Sequence, residues 1–76
     1  MKTLDYYGEI IQIPSQCKFV ATDENGEVWA FTSKPEVNND GRWWSDGYTL
    51  SDFYYVGDIE LPPDVDCKDS LQEIEE

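Results

Sequence analysis

The side chains with the number and spacing to do chemistry in this 76-residue chain are its carboxylates, 17 Asp and Glu against five Lys and Arg, for a formal net charge of −12. Asp58 and Glu60 alternate along an extended segment, about 6.6 Å apart on one side, a spacing of the order of neighbouring phosphates on a nucleic-acid strand. Asp64, Asp66 and Asp69 continue the series, and eight of the acids lie between Asp58 and Glu76, where Lys68 is the only cation. Carboxylates arranged this way can occupy Lys and Arg positions that normally hold phosphates. A second acidic group, Asp23, Glu24 and Glu27, surrounds Asn25-Gly26.

Other chemistries are poorly supplied. The chain has no histidine and a single arginine, Arg42, so the usual general base is missing, and no catalytic residue is assigned. Paired carboxylates such as Asp23 and Glu24 fall at a hairpin tip, where a short chain offers little cleft. The stretch from Asp23 to Glu27 has a superficial likeness to a calcium loop but lacks its closing bidentate glutamate, and two cysteines, Cys17 and Cys67, make half a zinc ligand set. The glycines are scattered at turn and strand positions rather than gathered into a phosphate loop. No cofactor or metal is expected, and a duplex would be repelled by this charge, so direct nucleic-acid binding is not expected either.

The elements that must position these groups read as mainly β. Three Trp, five Tyr and three Phe supply the apolar bulk that a chain of this length needs. Tyr6 to Ile13 reads as a first strand ending at Pro14. Cys17 to Asp23 and Glu27 to Ser33 read as a hairpin. A two-residue Asn25-Gly26 turn would set Glu24 against Glu27. A type I turn with Gly26 left-handed instead pairs Phe19 with Phe31 and Ala21 with Trp29, with apolar bulk on one face. Pro35 ends that unit, and Asn38-Asn39-Asp40-Gly41 makes a turn before a short aromatic strand, Arg42-Trp43-Trp44. Asp46-Gly47 and Ser51-Asp52 are further turn signals. The last strand, Phe53 to Leu61, puts Phe53, Tyr55, Ile59 and Leu61 on an oily side and Tyr54, Val56, Asp58 and Glu60 on the other. Beyond Pro62-Pro63, Asp64 or Asp66 can cap a short helix toward Ile74, with Leu71 and Ile74 on one face. The expected fold is a single α+β, mainly β domain: an antiparallel sheet of four or five strands over 1–61, and an acidic C-terminal helix or tail over 62–76.

Ala21 to Phe31, with Lys34-Pro35 and Trp43-Trp44, resembles a pattern in small phage-encoded proteins, and size and charge together resemble phage-borne DNA-mimic inhibitors of the anti-CRISPR and anti-restriction type. The resemblance implies a stoichiometric inhibitor, not an enzyme. Its partner would be a basic nucleic-acid-binding host protein, a CRISPR effector or a restriction enzyme.

The charge leads to the same partner class, because solubility alone needs a net charge of about 2 to 8 in magnitude. Asp58, Glu60, Asp64, Asp66 and Asp69 are the expected phosphate substitutes. Asp23, Glu24 and Glu27 form a second patch, and Trp44 and Tyr54, one ring of each aromatic pair, are the expected anchors. The alternative is an interaction module that binds through its aromatic sheet face, the charge serving solubility. The N-terminus from Met1 to Asp5 carries no export-type apolar run and no stretch approaches a membrane span, so a cytoplasmic location is expected, without membrane attachment and with both thiols free. Unbalanced charge also destabilises the compact state. The melting temperature should therefore rise between about 20 and about 300 mM salt in a calorimetric series, and a flat response would mean the charges are well dispersed.

Overall fold

The structure is a computed structural model that describes residues 1–39, 41, 42, 44, 45 and 53–74. The expected turns at Asp46-Gly47 and Ser51-Asp52, and the residues Asp40, Trp43, Glu75 and Glu76, lie outside the described residues. The architecture is mainly β and antiparallel. In chain order the strands are β1 (Lys2–Tyr6), β2 (Glu9–Ile13), β3 (Phe19–Thr22), β4 (Glu27–Phe31), β5 (Glu36–Val37), β6 (Trp44–Ser45), β7 (Phe53–Asp58) and β8 (Gln72–Glu73). They make two ribbons, β1-β2 and β5-β6, and a four-stranded sheet in the order β7-β4-β3-β8.

The first departure from expectation is that Tyr6 to Ile13 is not one strand. Tyr7 and Gly8 both take positive φ, 50° and 84°, a conformation that reverses the chain in two residues. Tyr6 then faces Glu9 and Leu4 faces Ile11 across the ribbon. Asp5 helps, since its Oδ1 accepts the Gly8 N–H at 3.0 Å. A tyrosine at the first turn position hides this reversal from composition, because Asn or Gly is the usual occupant.

The central hairpin has the expected register, Phe19 opposite Phe31 and Ala21 opposite Trp29. Its turn closes with the Gly26 N–H on the Asp23 carbonyl (3.0 Å) and the Asp23 N–H on the Glu27 carbonyl (2.9 Å). Gly26 is left-handed, φ 88°, and a Cβ there would stand 2.9 Å from the Ile59 carbonyl oxygen, so both conformation and space require glycine.

Ala21 and Phe31 are buried on the face of the hairpin that carries the apolar bulk of Trp29, but the larger core lies on the opposite face. The β1-β2 ribbon lies on the side of the sheet that carries Val20, Val28 and Ala30, and there Tyr6, Ile13, Cys17 and those three residues are fully buried. Tyr54 and Val56 pack against this core, whereas Phe53 and Tyr55 are 52% and 53% exposed. The supposed oily side of β7 is thus its open side. A one-residue bulge explains how Ile59 still reaches the core: Val28 pairs with Gly57 but Trp29 with Tyr55, so the alternation slips at Val56, and Gly57 takes a φ of 155° that only glycine adopts readily.

The expected C-terminal helix is absent from the described residues. Cys67–Asp69 forms a single 3-10 turn, and the chain then extends as β8 along the edge of β3, with Val20 opposite Gln72. Leu71 and Ile74 do not share a helical face; the Ile74 N–H bonds the Lys18 carbonyl at 2.8 Å and its half-buried side chain packs against the core. The last segment therefore belongs to the sheet.

Three remote segments meet at one buried polar knot. The Tyr6 hydroxyl donates to the Ser70 carbonyl (2.9 Å) and accepts from Thr22 Oγ1 (2.7 Å), while Ser70 Oγ accepts the Thr22 N–H (2.9 Å). Burial pushes the Tyr6 phenol above its ordinary pKa, the bonds to Thr22 and Ser70 opposing it. Tyr6→Phe strands a buried carbonyl and hydroxyl, and should cost about 1–3 kcal/mol in a urea titration at unchanged m-value. A loss under about 0.3 kcal/mol would mean the knot adds nothing net.

Candidate functional site

The two acidic groups, more than thirty residues apart in sequence, are joined by the sheet. The Ile59 N–H donates to the Gly26 carbonyl at 3.0 Å, which fastens the β3-β4 turn to the segment that leaves β7. Between them lies an open groove of about 440 Å³. Glu24, Glu60 and Asp66 stand on its walls, and Ile59, Leu61 and Val65 supply its apolar surface. Glu27 is set directly across from Asp58 at the adjoining strand ends.

The like-charge pair is unfavourable, of the kind that weighed against Glu24 facing Glu27, but here the β4-β7 register imposes it. Local donors hold the two acids in place. Tyr55 donates its hydroxyl to Asp58 Oδ1 at 2.8 Å, and that bond is the chief reason its phenol sits above the ordinary value. Asn25 donates to Glu27 Oε1 through its side-chain amide and accepts the Glu27 N–H at 3.0 Å. Glu24 lies 3.6 Å from Arg42 Nε with both side chains exposed, a geometry worth little in water.

The remaining expected residues are placed differently. Asp64 sits on the turn closed by the Val65 N–H on the Pro62 carbonyl, and Asp69 ends the 3-10 turn near Tyr7; both are exposed and neither lines the groove. Asp23 is only 8% exposed, and its Oδ1 accepts the Trp44 N–H at 2.7 Å; it contributes to the wall of the groove and also to that of a second, smaller recess. Tyr54 is half-buried against the core and its hydroxyl accepts from Gln16 Nε2 at 3.1 Å. Trp44 is half-buried as well, and its indole Nε1–H bonds the Cys67 carbonyl at 2.9 Å. Cys17 and Cys67 are not joined in a disulfide, and Cys67 donates to the Gly41 carbonyl at 3.1 Å.

On this face Phe53 and Tyr55 are exposed, Trp29 is half-buried and Phe31 is buried, and none of the four is among the partner-binding residues expected from sequence. Trp29 meets Phe53 and Tyr55 edge-on, with centroids 5.6 and 5.5 Å away, and Phe31 lies 6.4 Å from Phe53. This aromatic surface continues into a smaller recess of about 180 Å³ between β4, β7 and β6, with Asp23 at its edge. The available signal was the pairing of Trp29 and Phe31 with Tyr55 and Phe53 at alternate positions of neighbouring strands, four large rings on the face opposite the one the β1-β2 ribbon covers.

Among the described residues no group of three or more acidic, Cys or His side chains is placed to hold a metal ion, and no helix is long and apolar enough to cross a membrane. No protein-family model, curated protein or solved structure matches this chain.

Burial raises the Asp23 carboxyl above its ordinary value of 3.8; the Trp44 N–H opposes the shift and the Glu27 charge adds to it. A raised carboxyl favours the fold fully below that ordinary value and loses the benefit as pH climbs through its folded pKa, so at neutral pH the ionised group costs stability. Asp23→Asn keeps an acceptor for Trp44 and removes the charge. It should match or exceed the parent protein at pH 7, and the parent should gain on it under acid in paired urea titrations. A neutral-pH loss above about 1 kcal/mol would mean the charged hydrogen bond outweighs burial.

Proposed function

We propose that the protein is an acidic mimic of nucleic acid that occupies the DNA-binding surface of a basic host protein. The observation that carries this reading is the convergence of Glu24, Glu60 and Asp66 around one open groove, with Glu27 and Asp58 paired next in sequence to its lining residues Gly26 and Ile59. A fold gains nothing by crowding like charges at a strand end, and local donors hold them there, so the field serves recognition. Cationic side chains that normally grip phosphates would meet carboxylates held in place, and the counterions around both surfaces would be released on contact.

The intended targets are bacterial defence proteins that handle nucleic acid, CRISPR effectors first and restriction enzymes second, met in the host cytoplasm. Inhibition would be stoichiometric, without catalysis or cofactor. A second reading is favoured by one observation, the exposure of Phe53 and Tyr55 beside Trp29. On that reading the aromatic face binds the partner and the charge maintains solubility.

The two readings differ in salt response and in which substitutions matter. DNA binding by purified CRISPR effectors and restriction enzymes is measured with increasing amounts of this protein. For a mimic using three or four carboxylates, affinity for the inhibited target should fall about 500- to 4,000-fold from about 50 to about 500 mM salt. The triple change Glu24→Lys, Glu60→Lys, Asp66→Lys should abolish inhibition while the fold remains. Inhibition that survives both salt and charge reversal but is lost on Phe53→Ala with Tyr55→Ala would establish the aromatic-face reading.

A further inference from the structure

The recess beside the aromatic face has an unusual lining. Trp29 and Phe31 from β4, Phe53 from β7 and Trp44 from β6 form its walls, and the polar members are Asp23 and Ser45. The rings are inclined rather than stacked flat, Trp29 to Phe53 at 61° and Phe31 to Phe53 at 35°, so they line a concavity. Each ring presents a π system with a negative face, and Asp23 lines the same recess.

We infer that this recess receives the guanidinium of an arginine side chain from the basic partner. Several aromatic rings around one acid make a cation-attracting cavity, because ring quadrupoles and carboxylate act in the same sense in a partly water-excluded space. The volume, about 180 Å³, is well below the roughly 300–1,000 Å³ of drug-sized sites and suits one side-chain head. Arginine fits better than lysine: its planar guanidinium stacks on rings and is more weakly hydrated than an ammonium, so entering the recess costs it less. Proteins that hold nucleic acid display arginines for phosphates and bases. The Trp44 N–H fixes the Asp23 carboxylate at the edge before any partner arrives. A bound cation would offset the burial that pushes the Asp23 carboxyl up.

The inference deepens the proposed function and rests on it for the identity of the partner. The acidic groove would steer the approach, and the recess would anchor one residue of the contact. The affinity of the recess for guanidinium is separable from inhibition, and it can be measured alone.

The probe is N-acetyl-arginine amide, titrated into the whole protein at about 150 mM salt, where steering between exposed charges is largely screened. Aromatic proton resonances are followed by NMR, with the neutral citrulline analogue as control. The expected result is saturable movement of the Trp29 and Phe53 ring signals with arginine and none with citrulline. Phe53→Leu, at a position 52% exposed where the fold tolerates the change, should weaken arginine binding about 2- to 5-fold. Asp23→Asn should weaken it further and remove a loss of affinity seen on acidification. Non-saturating shifts, equal shifts with citrulline, or indifference to both substitutions would overturn the inference. If arginine fails while salt-sensitive inhibition persists, the recess is no anchor and the mimic reading stands. If arginine binds while no nucleic-acid-binding protein is inhibited, the cation site stands and the mimic reading falls.

Discussion

The hydroxyl of Tyr6 is the point on which the rest of the structure depends. It bonds Thr22 on β3 and the Ser70 carbonyl beyond the 3-10 turn, and Ser70 in turn bonds the Thr22 backbone. Those residues come from the N-terminal ribbon, the centre of the sheet and the C-terminal segment, 16 to 64 positions apart. A buried polar group left unmade costs more than the same bond gains net, so the knot penalises every arrangement that separates the three segments. Apolar burial in so short a chain is non-directional and modest in amount. The knot adds direction: it decides which face of β3 the ribbon covers and which edge β8 joins.

Once that face is chosen, much else is settled. With Val20, Val28 and Ala30 beneath the β1-β2 ribbon, Trp29 and Phe31 must point the other way, since successive strand residues alternate. The neighbouring β7 follows the same phase through Tyr55 and then breaks it at the bulge, so Ile59 returns to the core. The bulge therefore allows an exposed aromatic surface and a buried anchor on one strand. It also brings Ile59 against Gly26, and with it the acidic segment against the hairpin tip.

Electrostatics act against this arrangement. Glu27 and Asp58 are neighbours by register, and Asp23 is nearly buried beside an aromatic recess, its Oδ1 held by the Trp44 N–H. Sites that violate local preference in this way are where function is to be sought, because a stable fold has no reason to retain them. On the proposed reading a basic partner would resolve both conflicts, by neutralising the groove and by presenting a cation to the recess.

What the sequence by itself determined is the short-range part. It specified the central hairpin and its register, because the left-handed Gly26 and the repulsion between Glu24 and Glu27 act within a few residues. It specified the turn from Asn38 to Gly41, closed by the Gly41 N–H on the Asn38 carbonyl, and the overall predominance of antiparallel strands. It also supplied the acids of the groove by type. The tertiary structure alone decided the rest. Alternation offers two faces of similar apolarity, and only the docking of a second hairpin chooses between them. That hairpin was itself hidden behind a tyrosine with positive φ. The C-terminal segment became a strand rather than a helix because β3 offered an unpaired edge, which propensity cannot register. The two acidic groups became one groove because a backbone hydrogen bond joins Ile59 to Gly26 across the fold. The carboxylates with which the sequence begins its chemistry thus acquire their geometry from contacts that no local pattern encodes.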